Sequence, residues 1–229
     1  MTLIPPSVLS RPCVLQAVIL ARRVFASWYT RDAVDIIRER ASLAAVKEME
    51  QNASWRPVDV STDLKTVAGI DSHFGCQSIS KVLPLAYAWA GDLQTAQQLV
   101  SDRVPSERLP CTAVGTPLVA LIDYISESAN GHPGLIHGGM TAIIAHSSMS
   151  LVAALNVPRQ PTAEVISRSL NMDYRRPIRT GQFVKIYAWL YRHYEQGPML
   201  AAVHFYDPNG QMLVEATAKL DIVRPGAAE

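Results

Sequence analysis

The sequence predicts an α+β fold in which one long helix is enclosed by a curved antiparallel sheet, preceded by a helical N-terminal extension. Three observations predict it. From Ser128 to Pro158 the chain holds no Asp, Glu, Lys or Arg. Within that stretch, Met140–Asn156 reads as a helix of Ala, Ile, Met, Leu, Val and Ser with His146 near its middle. Four segments of strand character, joined by turn residues, come after it. A helix without a charged face has no side to present to water, so other elements must surround it. A bent antiparallel sheet does this with the fewest elements.

The elements follow in order. Residues 12–50 read as one or two helices, with Val34, Ile37, Ala41, Ala44 and Met49 near one face and Arg38, Arg40, Lys47 and Glu48 suited to solvent. Residues 51–79 show no period and contain Pro57, Gly69 and Gly75, which reads as a connecting segment. A helix is expected from Ser80 or Pro84 to Val100, broken at Gly91-Asp92, where Asp92 caps a second piece. Pro105, Pro110 and Pro117 mark a linker, and Leu118–Ile125 is a β-rich run. Strand character returns at Glu164–Asp173, Phe183–Tyr191, Met199–Tyr206 and Gln211–Ile222. The last alternates with period two: Met212, Val214, Ala216, Ala218, Leu220 and Ile222 point one way. Asp207-Pro208-Asn209-Gly210 and Glu195-Gln196-Gly197-Pro198 are turns that make hairpins of these strands. The chain therefore divides into an extension, residues 1–110, and a helix-and-sheet domain, residues 111–229.

Composition narrows the function. With 48% hydrophobic and 18% charged residues, the 229-residue chain can bury a sizeable core, and its net charge of +1 offers no bias toward nucleic acid. Cys13, Cys76 and Cys111 form no paired spacing, so neither a disulfide framework nor a zinc site is expected. Asp71, His73 and Cys76 lie close together but lack a fourth ligand, and they read as loop residues. Residues 1–31 carry Arg11, Arg22, Arg23 and Arg31 and no acid, which fits a mitochondrial targeting segment or an uncleaved basic surface helix. Val14–Leu20 is too short to cross a bilayer, and 140–156 is interrupted by Thr141, His146 and serines, so no transmembrane span is expected.

The chemistry concentrates at Asn130-Gly131-His132-Pro133-Gly134-Leu135-Ile136-His137-Gly138-Gly139. A glycine pair at the mouth of a buried helix lets another molecule approach the backbone. It also presents unpaired N–H groups at a positive dipole end, a docking point for a carbonyl oxygen or an anion. Asp123 and Glu127 precede this loop; a solvated or salt-bridged role suits both. Tyr187, Trp189, Tyr191 and Tyr194 alternate along one strand without a basic stripe, which suits packing better than base stacking.

Two motifs, Gly131-His132-Pro133-Gly134 leading into His137-Gly138-Gly139, and Leu170-Asn171-Met172-Asp173-Tyr174-Arg175-Arg176-Pro177-Ile178, resemble the hotdog-fold acyl-CoA thioesterases, the single-domain type with an N-terminal extension. The resemblance spans roughly residues 115–224. It implies a dimer with a continuous sheet and the thioester at the interface. It also implies that the Gly138 or Gly139 N–H polarises the thioester carbonyl, with His137 orienting the loop and Ser167 helping to hold water or the acid. The family's catalytic acid sits nine positions after the loop histidine, where this chain has His146. A histidine can act as a base near neutrality, but does not reproduce a carboxylate. Arg175, Arg176 and Arg179 would meet coenzyme A phosphates. No cofactor beyond the coenzyme A thioester, as substrate or ligand, and no metal is implied. Two readings stay open: an acyl-CoA hydrolase, or a non-catalytic subunit of a mitochondrial assembly that keeps the fold without the acid. A hydratase of this fold is a weaker third, since no acid lies between Ser128 and Pro158.

Overall fold

The structure, a computed structural model, describes residues 39, 43–58, 87–110, 118–156, 164–192 and 197–223. Among the described residues, three α-helices, α1 (Ala44–Gln51), α2 (Leu93–Val100) and α3 (Gly138–Ala154), accompany nine strands. These are β1 (Trp55–Val58), β2 (Tyr87–Gly91), β3 (Leu118–Ile125), β4 (Asn130–His132), β5 (Leu135–Ile136), β6 (Glu164–Tyr174), β7 (Gln182–Arg192), β8 (Met199–Tyr206) and β9 (Met212–Val223). Seven form one antiparallel sheet in the order β1-β2-β3-β7-β8-β9-β6, and β4 with β5 makes a small ribbon before α3.

The enclosed helix is there. α3 lies against β3, β6, β7, β8 and β9, and from Ser147 to Ala154 every residue is buried. Its packing partners include Val119, Leu121, Val184, Ile186, Phe205, Val214 and Leu220. Seventeen residues that include two glycines, three serines and the β-branched Thr141, Ile143, Ile144 and Val152 make a marginal helix in water, so this contact, not propensity, holds it. Two of its buried hydroxyls are satisfied within the helix: Ser147 Oγ donates to the Ile143 carbonyl at 2.6 Å and Ser148 Oγ to that of Ile144 at 2.8 Å, while Ser150 Oγ is buried without a hydrogen-bond partner among the described residues. Asn156 Nδ2 donates to the Val152 carbonyl at 2.6 Å and closes the last turn.

The hairpin expected at Asp207–Gly210 is present. Asp207 Oδ1 accepts from the Asn209 and Gln211 amides at 2.9 and 2.7 Å, and Gly210 takes φ +80°. β7 and β8 also pair antiparallel, down to Arg192 opposite Leu200. Of the turn between them, Glu195 and Gln196 lie outside the described residues.

The N-terminal half needs three corrections. Tyr87–Gly91, expected as helix, is a strand paired with Leu118–Ile122, and of the described part of that segment the piece after Asp92 is helical. Asp92 caps it as expected, accepting the Thr95 amide at 2.8 Å, a bond that holds its carboxyl below the ordinary range. Trp55–Val58, within the expected connecting segment, is an edge strand; Pro57 fits there because an edge leaves one side of the ladder unpaired. In α1, Met49 is buried and Lys47 and Glu48 are exposed, as expected, but Ala44 is exposed and Val46 is buried in its stead. Residues 1–38, 40–42 and 59–86, including the basic segment 1–31 and Asp71, His73 and Cys76, lie outside the described residues.

β1 and β2 widen the sheet, and α2 with the segment after it covers the face away from α3. Ala96 and Val100 of α2 pack on Leu118, Trp189 and Ala202, and Trp189 Nε1 donates to the Arg108 carbonyl at 2.8 Å. With both faces covered, β3 is buried along its whole length and shows no alternation. His204 is buried on this outer face. Its Nδ1 lies 3.0 Å from Tyr206 Oη, its ring meets Trp189 edge-on at 4.8 Å, and β7 and β9 place Tyr187 and Glu215 beside it.

Burial drives the His204 pKa down to about 4; Arg175, Arg103 and Arg108 push the same way and Glu215 opposes. The unfolded chain therefore takes up this proton first. Its contribution to stability is complete above pH 6.5 and is lost as pH falls from 6.5 toward about 4. At about 1.4 kcal/mol per pH unit, the loss approaches roughly 3 kcal/mol. Urea unfolding across that range is expected to show a clearly shallower pH slope in His204→Gln; an unchanged slope would contradict this assignment.

Candidate active site

The glycine pair opens α3. His137 (φ −68°, ψ 132°) is the N-cap residue, and its Nδ1 accepts the Gly139 amide at 3.0 Å. An N–H donor on Nδ1 puts the ring's own proton on Nε2. The His137 carbonyl accepts the Met140 and Thr141 amides at 2.9 and 3.1 Å. Of the amides at this helix start, Gly138 N–H is thus the one with no acceptor among the described residues. It belongs to the same peptide group as the His137 carbonyl, and two donors on that carbonyl polarise the N–H at the other end. Sequence reasoning left Gly138 and Gly139 equivalent. The cap separates them.

The loop before the helix is braced from two sides. His137 N–H donates to Ala129 O at 2.8 Å, and Ile136 N–H to Ile178 O at 3.1 Å. Thr180 N–H reaches Gly134 O at 3.1 Å, and Thr180 Oγ1 donates to Asn130 Oδ1 at 2.8 Å. Gly131 has to be glycine: a Cβ there would come within 2.7 Å of the His137 Cα. His137, Gly138 and Gly139 are all exposed, so an incoming group can reach them.

Met140, Ala142, Ile143 and His146 are the less-buried residues of α3, and Gly139, Ile143 and His146 fall on one helical face. Burial of the imidazole lowers the His146 pKa below 6.5, so the ring is neutral at neutral pH and able to accept a proton. From Gly138 to His146 is eight residues, about 12 Å along the axis at roughly 1.5 Å each. Ser167 lies on the half-buried inner side of β6, just before a bulge that shifts the register between Ser167 and Ser169. Its Oγ donates to the Ser169 carbonyl at 3.3 Å.

The three arginines separate. Arg175 pairs through Nη2 with Glu215 Oε2 at 2.5 Å and through Nε with Asp173 Oδ2 at 3.3 Å, and Glu215 also meets Arg108 at 3.4 Å. Arg176 and Arg179 are exposed on the turn between β6 and β7, with Arg179 bridged to Leu135 beside the glycine loop. Of the solvated or salt-bridged roles expected for Asp123, burial removes the first: only 1% of its surface is exposed, and it shares the α3-facing side of β3 with Leu121 and Ile125. Glu127 Oε1 accepts from Tyr124 Oη at 3.5 Å.

One contact went unread in the sequence. Tyr174, at the end of β6, donates its hydroxyl to the Gly138 carbonyl at 3.0 Å. Its place in the second motif was the available signal, but nothing local connects it to a helix 36 residues away. Among the described residues, no cluster of His, Cys, Asp and Glu could hold a metal ion, and no helix is long and apolar enough to cross a membrane.

Residues 133–193 match the family model of the thioesterase superfamily. Solved structures similar to this chain include AziG of S. sahachiroi, 17% identical over 47% of this chain and 85% of that one, with a TM-score of 0.42. The smu.793 protein of Streptococcus mutans UA159, solved bound to acetyl CoA, is 13% identical over 49% of this chain and 86% of that one, TM-score 0.42. The thioesterase HI1161 of Haemophilus influenzae is 18% identical over 58% and 91%, TM-score 0.43. No curated protein matches this chain in sequence. The C-terminal half carries the hotdog fold, a central helix wrapped by the strands β3-β7-β8-β9-β6, and its residues 133–193 are similar in sequence to the thioesterase superfamily.

The cap can be tested directly. His137→Ala should lower the unfolding free energy by about 1 kcal/mol, while His137→Asn, which can still accept the Gly139 amide, should recover most of it in urea titrations. Equal losses in both would mean that the imidazole bond carries no stability.

Proposed function

We propose that this protein binds acyl-CoA thioesters and hydrolyses them with Gly138 N–H as the oxyanion donor and His146 as the base. The observation that carries the reading is the exposed Gly138 amide without an acceptor, at the start of a buried helix within the segment that matches the thioesterase superfamily. In the reaction His146 takes a proton from water, and the oxygen attacks the thioester carbon. The charge that develops on the carbonyl oxygen meets Gly138 N–H, a pre-aimed donor that requires no reorganisation. The C–S bond then breaks, and the imidazolium returns its proton to the departing coenzyme A thiolate, leaving the free acid. Arg179, bridged to Leu135 beside the loop, and Arg176, exposed on the same turn, are the cations available to meet coenzyme A phosphates; Arg175 is engaged by Glu215 and Asp173.

Spacing makes this a two-copy site. An attacking water must lie about 3 Å from the carbonyl carbon, yet Gly138 and His146 of one chain are about 12 Å apart along the helix. Two copies with their α3 helices antiparallel would bring His146 of the second copy to Gly138 of the first. β6 supports such a pairing: it is an 11-residue edge strand with Ile166 39% exposed, a ladder left open on one side. The alternative, a non-catalytic subunit of a mitochondrial assembly, draws on His146 standing where an acid would be expected.

Gly138→Pro is the sharpest test. Proline is tolerated at the first position of a helix, and the extended backbone of His137 suits a following proline, so the substitution deletes one N–H and little else. Hydrolysis of acyl-CoA should fall by about 10²–10³ in kcat while circular dichroism stays unchanged. Because burial lowers the His146 pKa, the acid limb of the wild-type pH–rate profile should lie below pH 6.5 and vanish with activity in His146→Ala. Turnover no faster than buffer across short and long acyl chains would favour the non-catalytic reading, and a monomer in sedimentation would exclude the composite site.

A further inference from the structure

We infer that Tyr174 is a positioning residue of this site: together with His137 it holds the Gly138–Gly139 peptide group at both ends and so aims the Gly138 N–H. The inference rests on the acyl-thioester reading above.

Two consecutive glycines are the least restrained backbone a helix can begin with. A donor aimed at a developing charge needs the opposite, since its value comes from being in place before the reaction. The structure resolves this conflict with a single planar unit. The Gly138 carbonyl and the Gly139 N–H belong to one peptide group, which moves as a plane. Its N–H end donates to His137 Nδ1 at 3.0 Å, and its carbonyl end accepts from Tyr174 Oη at 3.0 Å. Anchored at both ends, the plane cannot turn about its flanking bonds. The preceding peptide group, which carries the Gly138 N–H, is held in turn by the Met140 and Thr141 amides on the His137 carbonyl. No torsion that could swing the Gly138 N–H away is left without a restraint on one side.

Tyr174 is otherwise hard to account for. Its residue is 52% exposed, so it adds little to the core, and it is among the few large hydrophobic side chains left open to solvent. Yet it sits over the glycine: a Cβ on Gly138 would meet its Oη, Cζ and Cε1 at 3.7–3.9 Å. Alternation along β6 explains the placement. Leu170 and Met172 pack on the α3 side, and Tyr174 follows them there, while Asp173 and Arg175 turn to the other face and pair with each other. A tyrosine spans the gap from strand to helix start with only two rotatable side-chain bonds and delivers one hydrogen bond at the end.

The test uses the full chain and Tyr174→Phe, which keeps the ring and removes the hydroxyl. With acyl-CoA as substrate, kcat should fall about fivefold with KM within about twofold, as expected for one lost hydrogen bond expressed in the transition state. The second readout is binding of two inert analogues, a ketone with methylene in place of sulfur and a thioether lacking the carbonyl. Wild type should prefer the ketone, and Tyr174→Phe should erase most of that preference while leaving thioether affinity unchanged. If the variant weakens both analogues alike, or keeps the full preference, Tyr174 has no positioning role. A wild type without any preference for the carbonyl would overturn the thioester reading itself, and the positioning role with it.

Discussion

The constraint on which this molecule depends is the enclosure of a helix that has no charged side. α3 runs for 17 residues without an ionisable group except His146, and its C-terminal half is wholly buried. Such a segment survives in water only if a sheet closes over it and most polar groups inside it find partners; among the described residues of α3, Ser150 Oγ is the exception. The first requirement sets the curvature and order of β3, β7, β8, β9 and β6. The second explains the serines bonded back to carbonyls one turn earlier and the asparagine at the far end. It also explains a cap made by an imidazole nitrogen: a carboxylate in its place would compete with a negatively developing ligand atom for the same amides.

The mouth of that helix is where enclosure stops and chemistry becomes possible. The glycines stay exposed while the helix behind them is sealed. One amide is bound by the cap and the other is left over, a division that follows from the reach of a single ring rather than from any difference between the two residues. The imidazole two turns on is pushed toward its neutral form by the same burial that stabilises the helix. The stability of the helix and the neutral state of its imidazole therefore have a common origin, the low polarity around α3.

The opposite face of the sheet shows what the extension contributes. α2 and the segment after it cover Trp189 and His204, and Arg108, Glu215 and Arg175 link that segment to β9 and the end of β6. Exposed ion pairs of this type add little each, whereas the buried indole and its bond to the Arg108 carbonyl anchor the layer. One consequence reaches the site: Arg175 is drawn to the outer face, leaving Arg179 as the arginine bridged to the loop. Strand alternation, sending Tyr174 inward and its two neighbours outward, is the reason.

The helix, the four closing strands and the Asp207 turn were legible in the sequence because each is written in residues a few positions apart: a missing charge, a period of two, an aspartate and a glycine. β2 was not. Tyr87-Ala88-Trp89-Ala90-Gly91 has the alanines of a helix, and only its ladder with Leu118–Ile122 makes it a strand. Pro57 likewise disguised β1. What the sequence by itself determined is therefore the enclosed helix, the glycine pair at its entrance and a histidine where a carboxylate would be expected. Which amide is available, what holds it and which arginine faces the loop were decided by contacts such as Tyr174 to Gly138 and Arg175 to Glu215, 36 and 40 residues apart. Local pattern records the neighbours a residue has along the chain; those bonds exist only once the sheet has closed and brought distant strands together.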